Sequence, residues 1–175
     1  MLDLRPFTGV TTMTAMFATG MTALKTLYFP PNITNSAGSD ARYVKDDAAL
    51  RLVVMGTAYE RMKRYAFQVN TSGTQFVTVY IGDAVNGSEL KSINSYNTLV
   101  SVKNLVIYAT TPPYWHNNDS SFAKDTGSKG NSTLPAGTKV YVPDSAVDTY
   151  KNSGADMWGN FASRIYPISE FEGEL

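Results

Sequence analysis

The chain has 175 residues, 43% of them hydrophobic, and its 15 basic and 15 acidic side chains cancel. This length and apolar content are sufficient for a single domain, residues 1–175, with a continuous core. The balanced charge gives no electrostatic sign of a nucleic-acid partner. Cysteine is absent, which excludes disulfides, thiolate metal sites and a cysteine nucleophile. No apolar run reaches the roughly 20 residues of a membrane-spanning helix, so we expect no membrane span.

A hydrophobic triplet recurs at a fixed interval through the first two thirds of the chain. Its middle members are Leu27, Val53, Val79 and Leu105, which define a 26-residue period. Its first and third members are Leu24 and Phe29, Leu50 and Met55, Phe76 and Ile81, and Val102 and Ile107. A fixed period of roughly 20 to 50 residues is typical of a solenoid, in which each repeat stacks on its neighbours. We therefore predict one short strand per triplet, with successive strands paired in parallel in one sheet.

The segments between the triplets hold a second set of apolar residues, which we expect to pack the opposite wall of each coil. These are Met13, Met16, Phe17, Tyr43, Val44, Tyr65, Phe67, Ile93 and Tyr96. At the N-terminus, the interval from Leu2 to Leu27 is one position shorter than the later period, so the chain starts inside a repeat. Residues 58–65 lack glycine and proline, and their spacing predicts one or two helical turns.

The repeat pattern changes after Ile107. Two prolines within residues 109–113 force the chain to turn or extend, and the polar stretch 116–132 predicts a long surface loop. A last strand is predicted at 139–142, where Val140 comes later than the repeat period would place it, so this repeat carries an insertion. The chain thus divides into repeats (1–108), a proline-rich turn and polar loop (109–138), and a last strand with a C-terminal cap (139–175).

The C-terminal cap is predicted to be helical. Asp144 or Ser145 is placed to cap a helix that runs to about Asn152, and Gly154 is placed to end it. A second helical segment would direct three residues to one face: Trp158, Phe161 and Ile165. A solenoid needs such an end unit to cover the apolar face of its last coil.

Passages near both ends of the chain share an ordered series of residues with one family. They are Leu2-Asp-Leu-Arg-Pro-Phe7, Val10-Thr-Thr-Met13, Met16-Phe17 and Leu24-Lys-Thr-Leu27, then Leu105-Val-Ile-Tyr-Ala-Thr-Thr-Pro-Pro113, Val140-Tyr-Val-Pro-Asp-Ser-Ala-Val-Asp-Thr-Tyr-Lys151, Trp158, Phe161, Ile165 and Pro167. This series resembles the BspA-type leucine-rich-repeat surface proteins of Bacteroidetes. The resemblance implies a leucine-rich-repeat-like solenoid, mostly β with minor α, that is exported to a cell surface and acts in adhesion or recognition without enzyme activity.

The outward-facing residues of the predicted sheet are the first candidate binding site. Tyr28, Val54, Tyr80 and Val106 occupy one repeat position, so stacking would align them in an exposed apolar and aromatic column. Such a column is a plausible contact surface for a ligand. The alternative is that these residue types are ordinary strand formers that stack on each other.

A second candidate binding site is the aromatic pair Tyr114 and Trp115, directly after the double proline. The two rings would stack on a sugar or anchor a protein partner. The alternative is that Trp115 folds back over the last coil as part of the cap.

Neither a catalytic nor a metal site is predicted. His116 is the single histidine, so neither a histidine metal site nor a Ser-His-Asp triad can be assembled. The Asn and Asp residues of 117–125 do not have the spacing of a calcium loop. We expect no enzyme activity and no cofactor.

These observations favour a non-catalytic recognition or adhesion module at a bacterial cell surface or outside the cell. Its partner would be a protein or glycan ligand on a host or neighbouring cell. The alternative is a structural or host-recognition component of a phage virion, in its head, tail or fibre. The lack of a signal peptide favours this alternative if Met1 is the native start. In either case the open edge at Leu2, Leu4 and Phe7 is expected to stack on further repeats or on another subunit.

Overall fold

The computed structural model describes residues 1–14, 17–36, 43–63, 65–67, 76–94, 99, 101–116, 134–154 and 158–173. In chain order the strands are β1 (Leu2–Asp3), β2 (Thr12–Met13), β3 (Ala18–Thr19), β4 (Thr26–Tyr28), β5 (Asn35–Ser36), β6 (Val44–Lys45), β7 (Leu52–Met55), β8 (Arg61–Met62), β9 (Val77–Ile81), β10 (Ser92–Asn94), β11 (Val102–Ile107), β12 (Tyr114–His116), β13 (Lys139–Val142) and β14 (Ile165–Pro167), with one α-helix, α1 (Val147–Lys151). Every pairing between these strands is parallel. The predicted β-solenoid with minor helix is confirmed.

The main sheet contains seven strands in the order β1-β4-β7-β9-β11-β13-β14. Its register aligns one inward residue from each strand: Leu2, Leu27, Val53, Val79, Leu105, Val140 and Ile165. The last six members of this column are buried in one continuous apolar core. The repeated triplet therefore forms the inner face of the sheet, as predicted.

Short strands form the other walls of the coils. β2 pairs with β5, β3 pairs with β6, and β8, β10 and β12 form a three-stranded sheet. The predicted packing on these walls is confirmed for five buried anchors: Met13, Tyr43, Val44, Phe67 and Ile93. Two further predicted anchors, Met16 and Tyr96, lie outside the described residues, as does the predicted polar loop beyond His116.

The helical prediction for residues 58–65 is wrong. Arg61 and Met62 form β8, which pairs in parallel with Ser92 and Ile93 of the next coil. Tyr65 has a φ of 59°, in the left-handed region that a right-handed helix excludes. Pairing between coils overrides the local helical preference, because β8 also supplies the buried side chain of Met62.

The cap contains the predicted helical segments but not the predicted caps. A 3-10 turn, Asp144–Ala146, leads into α1, and a second 3-10 segment spans Gly159–Arg164. No side chain caps the N-terminus of α1, and the Asp144 carboxylate instead accepts a hydrogen bond from the Ser169 backbone N–H at 3.2 Å. In the described part of the chain, no helix has the length and apolar character needed to cross a membrane.

The prediction that β13 is the last strand is wrong. Ile165 was expected in a helix, yet it pairs with Val140 as part of β14 and is buried there. The interval from Val140 to Ile165 is close to one repeat period, so the cap is itself a coil that contributes a seventh strand. The Arg164 guanidinium donates to the Leu134 and Pro135 carbonyls and ties this coil to the end of the 109–138 insertion.

One carboxylate is buried between coils. Asp47 lies in the turn before β7, and its Oδ1 accepts a hydrogen bond of 2.6 Å from the Met21 backbone N–H. Among the described residues its second oxygen, Oδ2, has no hydrogen-bond partner. Burial raises the pKa of Asp47, the bond from Met21 opposes this rise, and the nearby charge of Asp46 adds to it.

Substitution of Asp47 should change how stability depends on pH. Because folding raises the pKa of Asp47, the protonated carboxyl contributes stability that is fully present below the unfolded pKa of about 3.9. This stability is lost as pH rises through the folded pKa. Asp47→Asn keeps an acceptor for Met21 without the charge, so we expect a smaller loss of stability between acidic and neutral pH. Urea unfolding at several pH values measures this change in the free energy of unfolding.

The matched variant Asp47→Ala removes the acceptor as well, and should cost about 1–3 kcal/mol at neutral pH. An Asn variant with the same pH slope as the original chain would contradict a buried charge at this site.

Candidate functional site

The outward face of the main sheet carries a continuous aligned column of side chains across all seven strands. The register joins Asp3, Tyr28, Val54, Tyr80, Val106, Tyr141 and Tyr166 in that order across the seven strands. The four residues predicted from the repeat spacing are therefore neighbours. Tyrosine and valine alternate through its centre, from Tyr28 to Tyr141.

The prediction that the whole column is exposed is wrong. Tyr80 is 3% exposed and Val106 is fully buried, whereas Tyr28 and Val54 are half-buried. The C-terminal segment causes this burial, because its residues Ile168 and Phe171 pack over the strands at this end of the sheet. There they join a second apolar cluster, separate from the main core, formed by Tyr80, Val106, Tyr108 and Tyr141.

Phe171 is the central residue of this outer cluster. Its ring centroid lies 5.8 Å from that of Tyr80 and 4.7 Å from that of Tyr141, and both pairs meet edge to face. Tyr80 and Tyr141 flank Val106 on strands two apart, a distance of about 10 Å in a sheet. The phenyl ring fills the gap between the two tyrosines, in an arrangement that aromatic rings favour.

The uncovered part of the column forms a shallow hollow of about 260 Å³ that opens to solvent. Its lining is largely apolar and comprises Tyr28, Val54, Tyr80, Gly82, Asp83, Ala84 and Tyr108.

A tight turn forms one wall of the hollow. Gly82 has a φ of 88°, and a Cβ at this position would collide with the Gly87 carbonyl oxygen. The Asp83 carboxylate accepts hydrogen bonds from the backbone N–H groups of Val85 and Asn86 at 2.8 and 2.7 Å. Hydrogen bonds from Asn86 lower the pKa of Asp83. This wall is thus closely packed and carries a negative charge near the hollow.

The opposite end of the hollow is fixed by Arg5. Its guanidinium carbon lies 4.1 Å from the centre of the Tyr28 ring. Its Nε and one terminal nitrogen also bond the Asp3 carboxylate at 2.9 and 2.6 Å. This pairing lowers the pKa of Asp3. Because Asp3 is the neighbour of Tyr28 on β1, Arg5 approaches the tyrosine from the β1 side and leaves the side toward Tyr80 to the hollow.

The second candidate pair is divided between surface and core. Trp115 is 3% exposed and stacks against Trp158 and Phe161 with centroid distances of 4.9 and 6.0 Å. It therefore belongs to the interior of the cap, which was the alternative considered from sequence. Tyr114 is 53% exposed and borders a different depression, which Lys91 and residues 109–113 also line.

Sequence reasoning missed four residues of the outer cluster, and two of them carried a signal: the four are Tyr108, Tyr141, Ile168 and Phe171. Tyr108 lies two residues after Val106 on the same strand edge, so alternation places it on the same face. Tyr141 follows Val140, a residue already assigned to the inner column, and hence points outward. Phe171 carried no such signal, because it lies outside any repeat position.

No group of three or more His, Asp or Glu side chains lies close enough to hold a metal ion in the ranges that the structure describes. The sequence matches no protein-family model, and its comparison with curated proteins gives no match.

Removal of the Trp115 side chain should destabilise the fold strongly. Trp115→Ala would leave a large cavity between Trp158 and Phe161, and we expect a loss of about 3–5 kcal/mol of unfolding free energy. Chemical denaturation measures it. Tyr114→Ala is the matched control on the adjacent exposed residue and should change stability by less than about 0.5 kcal/mol. Equal losses for the two variants would show that Trp115 is not in the cap interior.

Removal of Phe171 should lower the pKa of Tyr80. Burial, with a contribution from Tyr108, raises the pKa of Tyr80 to about 12, so its ionisation at high pH opposes folding. Phe171→Ala exposes the ring and should move this pKa toward the ordinary value of about 10. Ultraviolet titration of Phe171→Ala with and without Tyr80→Phe isolates the shift. An unchanged Tyr80 titration would mean that Phe171 does not cover it.

Proposed function

We propose that this chain is a non-catalytic recognition module that binds a partner through the outward face of its seven-stranded sheet. The observation that supports this most is the open hollow at Tyr28, Val54 and Tyr80. An apolar patch with a polar rim is typical of an interaction site on a soluble domain. Tyrosine is also among the residues that contribute most to binding energy.

The biological setting that we propose is adhesion or recognition at a bacterial cell surface. The resemblance to BspA-type leucine-rich-repeat proteins of Bacteroidetes supports this setting, and it suggests a protein or glycan ligand. The repeated coils also support it, since solenoids of this kind present extended surfaces to partners.

A structural role in a phage virion is the second candidate. The observation that favours it is the edge of β1, which pairs with β4 on one side and with no described strand on the other. Leu2 and Leu4 are partly exposed there, and Phe7 is 57% exposed. An uncovered edge of this kind accepts a further strand from another subunit.

The recognition proposal can be tested with Val54→Glu. Val54 is half-buried and points outward, so the fold should tolerate the change, while a ligand would have to desolvate the new charge. Peptides selected from a random display library, and oligosaccharides from a glycan array, are the probes. We expect ligands selected on the original chain to bind Val54→Glu at least about 10-fold more weakly, as at an interface hot spot.

Tyr114→Ala is the control, because Tyr114 is exposed on a different wall of the solenoid, and it should leave binding unchanged. Melting curves of both variants confirm folding. Ligands that bind Val54→Glu as tightly as the original chain would refute a binding site on this face. For the second candidate, a chain that sediments as a monomer at every concentration would argue against association through β1.

A further inference from the structure

The alternating column creates two equivalent slots on the sheet. One slot is formed by Tyr80, Val106 and Tyr141, and the other by Tyr28, Val54 and Tyr80. Each consists of two tyrosines on strands two apart, with a valine between them as the floor. The same spacing of about 10 Å separates the tyrosines in both slots.

The first slot shows what this geometry accepts. The phenyl ring of Phe171 occupies it and meets both tyrosines edge to face. Val106 beneath is fully buried as a result. Phe171 follows directly after the 3-10 turn Ile168–Glu170, and its own backbone is extended, with φ −79° and ψ 114°.

The second slot has the same walls and is open. Its hollow of about 260 Å³ exceeds the roughly 150 Å³ of an apolar cavity that is known to hold benzene. Arg5 supports the Tyr28 ring from the β1 side, so the wall is in place before any ligand arrives. The turn that begins at Gly82 contributes Asp83 and Ala84 to the lining of this slot.

We propose that the open slot binds an aromatic side chain carried by a peptide segment of a protein partner, in the way that the neighbouring slot holds Phe171. This inference rests on the proposed recognition function and names the class of ligand. The slot is continuous with the interface that Phe171 already makes, since Tyr80 forms a wall of both. A sugar matches this lining less well, because its hydroxyl groups need hydrogen-bond partners that a largely apolar hollow provides sparingly.

The test uses a synthetic hexapeptide, acetyl-Ile-Ser-Glu-Phe-Glu-Gly-amide, which has the sequence of residues 168–173. The matched peptide has Ala in place of Phe. Titration into the isotope-labelled full chain should shift the NMR signals of Tyr28, Val54, Tyr80 and Tyr108. We expect the Ala peptide to bind at least about 10-fold more weakly, the effect of losing an aromatic anchor. Val54→Glu should abolish peptide binding, and Tyr114→Ala should leave it unchanged.

A second variant tests the equivalence of the two slots. Phe171→Ala empties the covered slot, so the number of peptides bound per chain should rise from one to two. The melting curve of Phe171→Ala establishes that this variant is folded. The Val54→Glu test does not depend on the Phe171→Ala variant. A stoichiometry that stays at one in the folded variant would overturn the equivalence.

Other outcomes separate this inference from the recognition proposal. Equal binding of the Phe and Ala peptides, or shifts at other residues, overturns the inference. An oligosaccharide that needs Val54 for binding and is not displaced by the peptide would also overturn the inference. The proposal of recognition at this face would then still stand. Shifts in the same residues that grow with protein concentration alone would identify a second copy of the chain as the occupant, and would also overturn the inference.

Discussion

The parallel pairing of each coil with the next, in a fixed register, is the constraint on which the rest of the structure depends. It places Leu27 over Val53 and Val53 over Val79 on the inside, and by alternation it aligns Tyr28, Val54 and Tyr80 on the outside. A slip of one residue would exchange these two faces. The coil preceding β13 is longer than the others, yet it returns Val140 to the same column.

The exposure of the outward column is determined by the C-terminal segment that covers part of it. Residues far apart in sequence, Tyr80 and Phe171, meet because the C-terminal segment crosses the strands after the last coil. This segment covers one half of an aromatic surface and leaves open the other half, which has the same alternation of tyrosine and valine. The interior of the cap, where Trp115 packs on Trp158, fixes the coil from which that segment starts.

The sequence predicts the parts of this fold that depend on periodicity, and fails where distant contacts decide. The triplets around Leu27 and Val79 predict the inner column, since a repeated apolar residue must face a repeated core. β14 was missed because helical spacing around Ile165 conceals that this residue lies about one repeat after Val140. For β8, pairing between coils outweighs local propensity. The column was correctly assembled from spacing, but spacing carries no information about Phe171, so the exposure of Tyr80 was mispredicted.

The two edges of the sheet differ in a way that limits how copies of this chain can assemble. β14 ends in Pro167, whose backbone has no N–H to donate to a further strand, whereas β1 contains no proline. Head-to-tail stacking needs both edges and would extend into a fibre. Pro167 removes one donor from β14, so head-to-tail growth is disfavoured at that edge relative to an edge without proline.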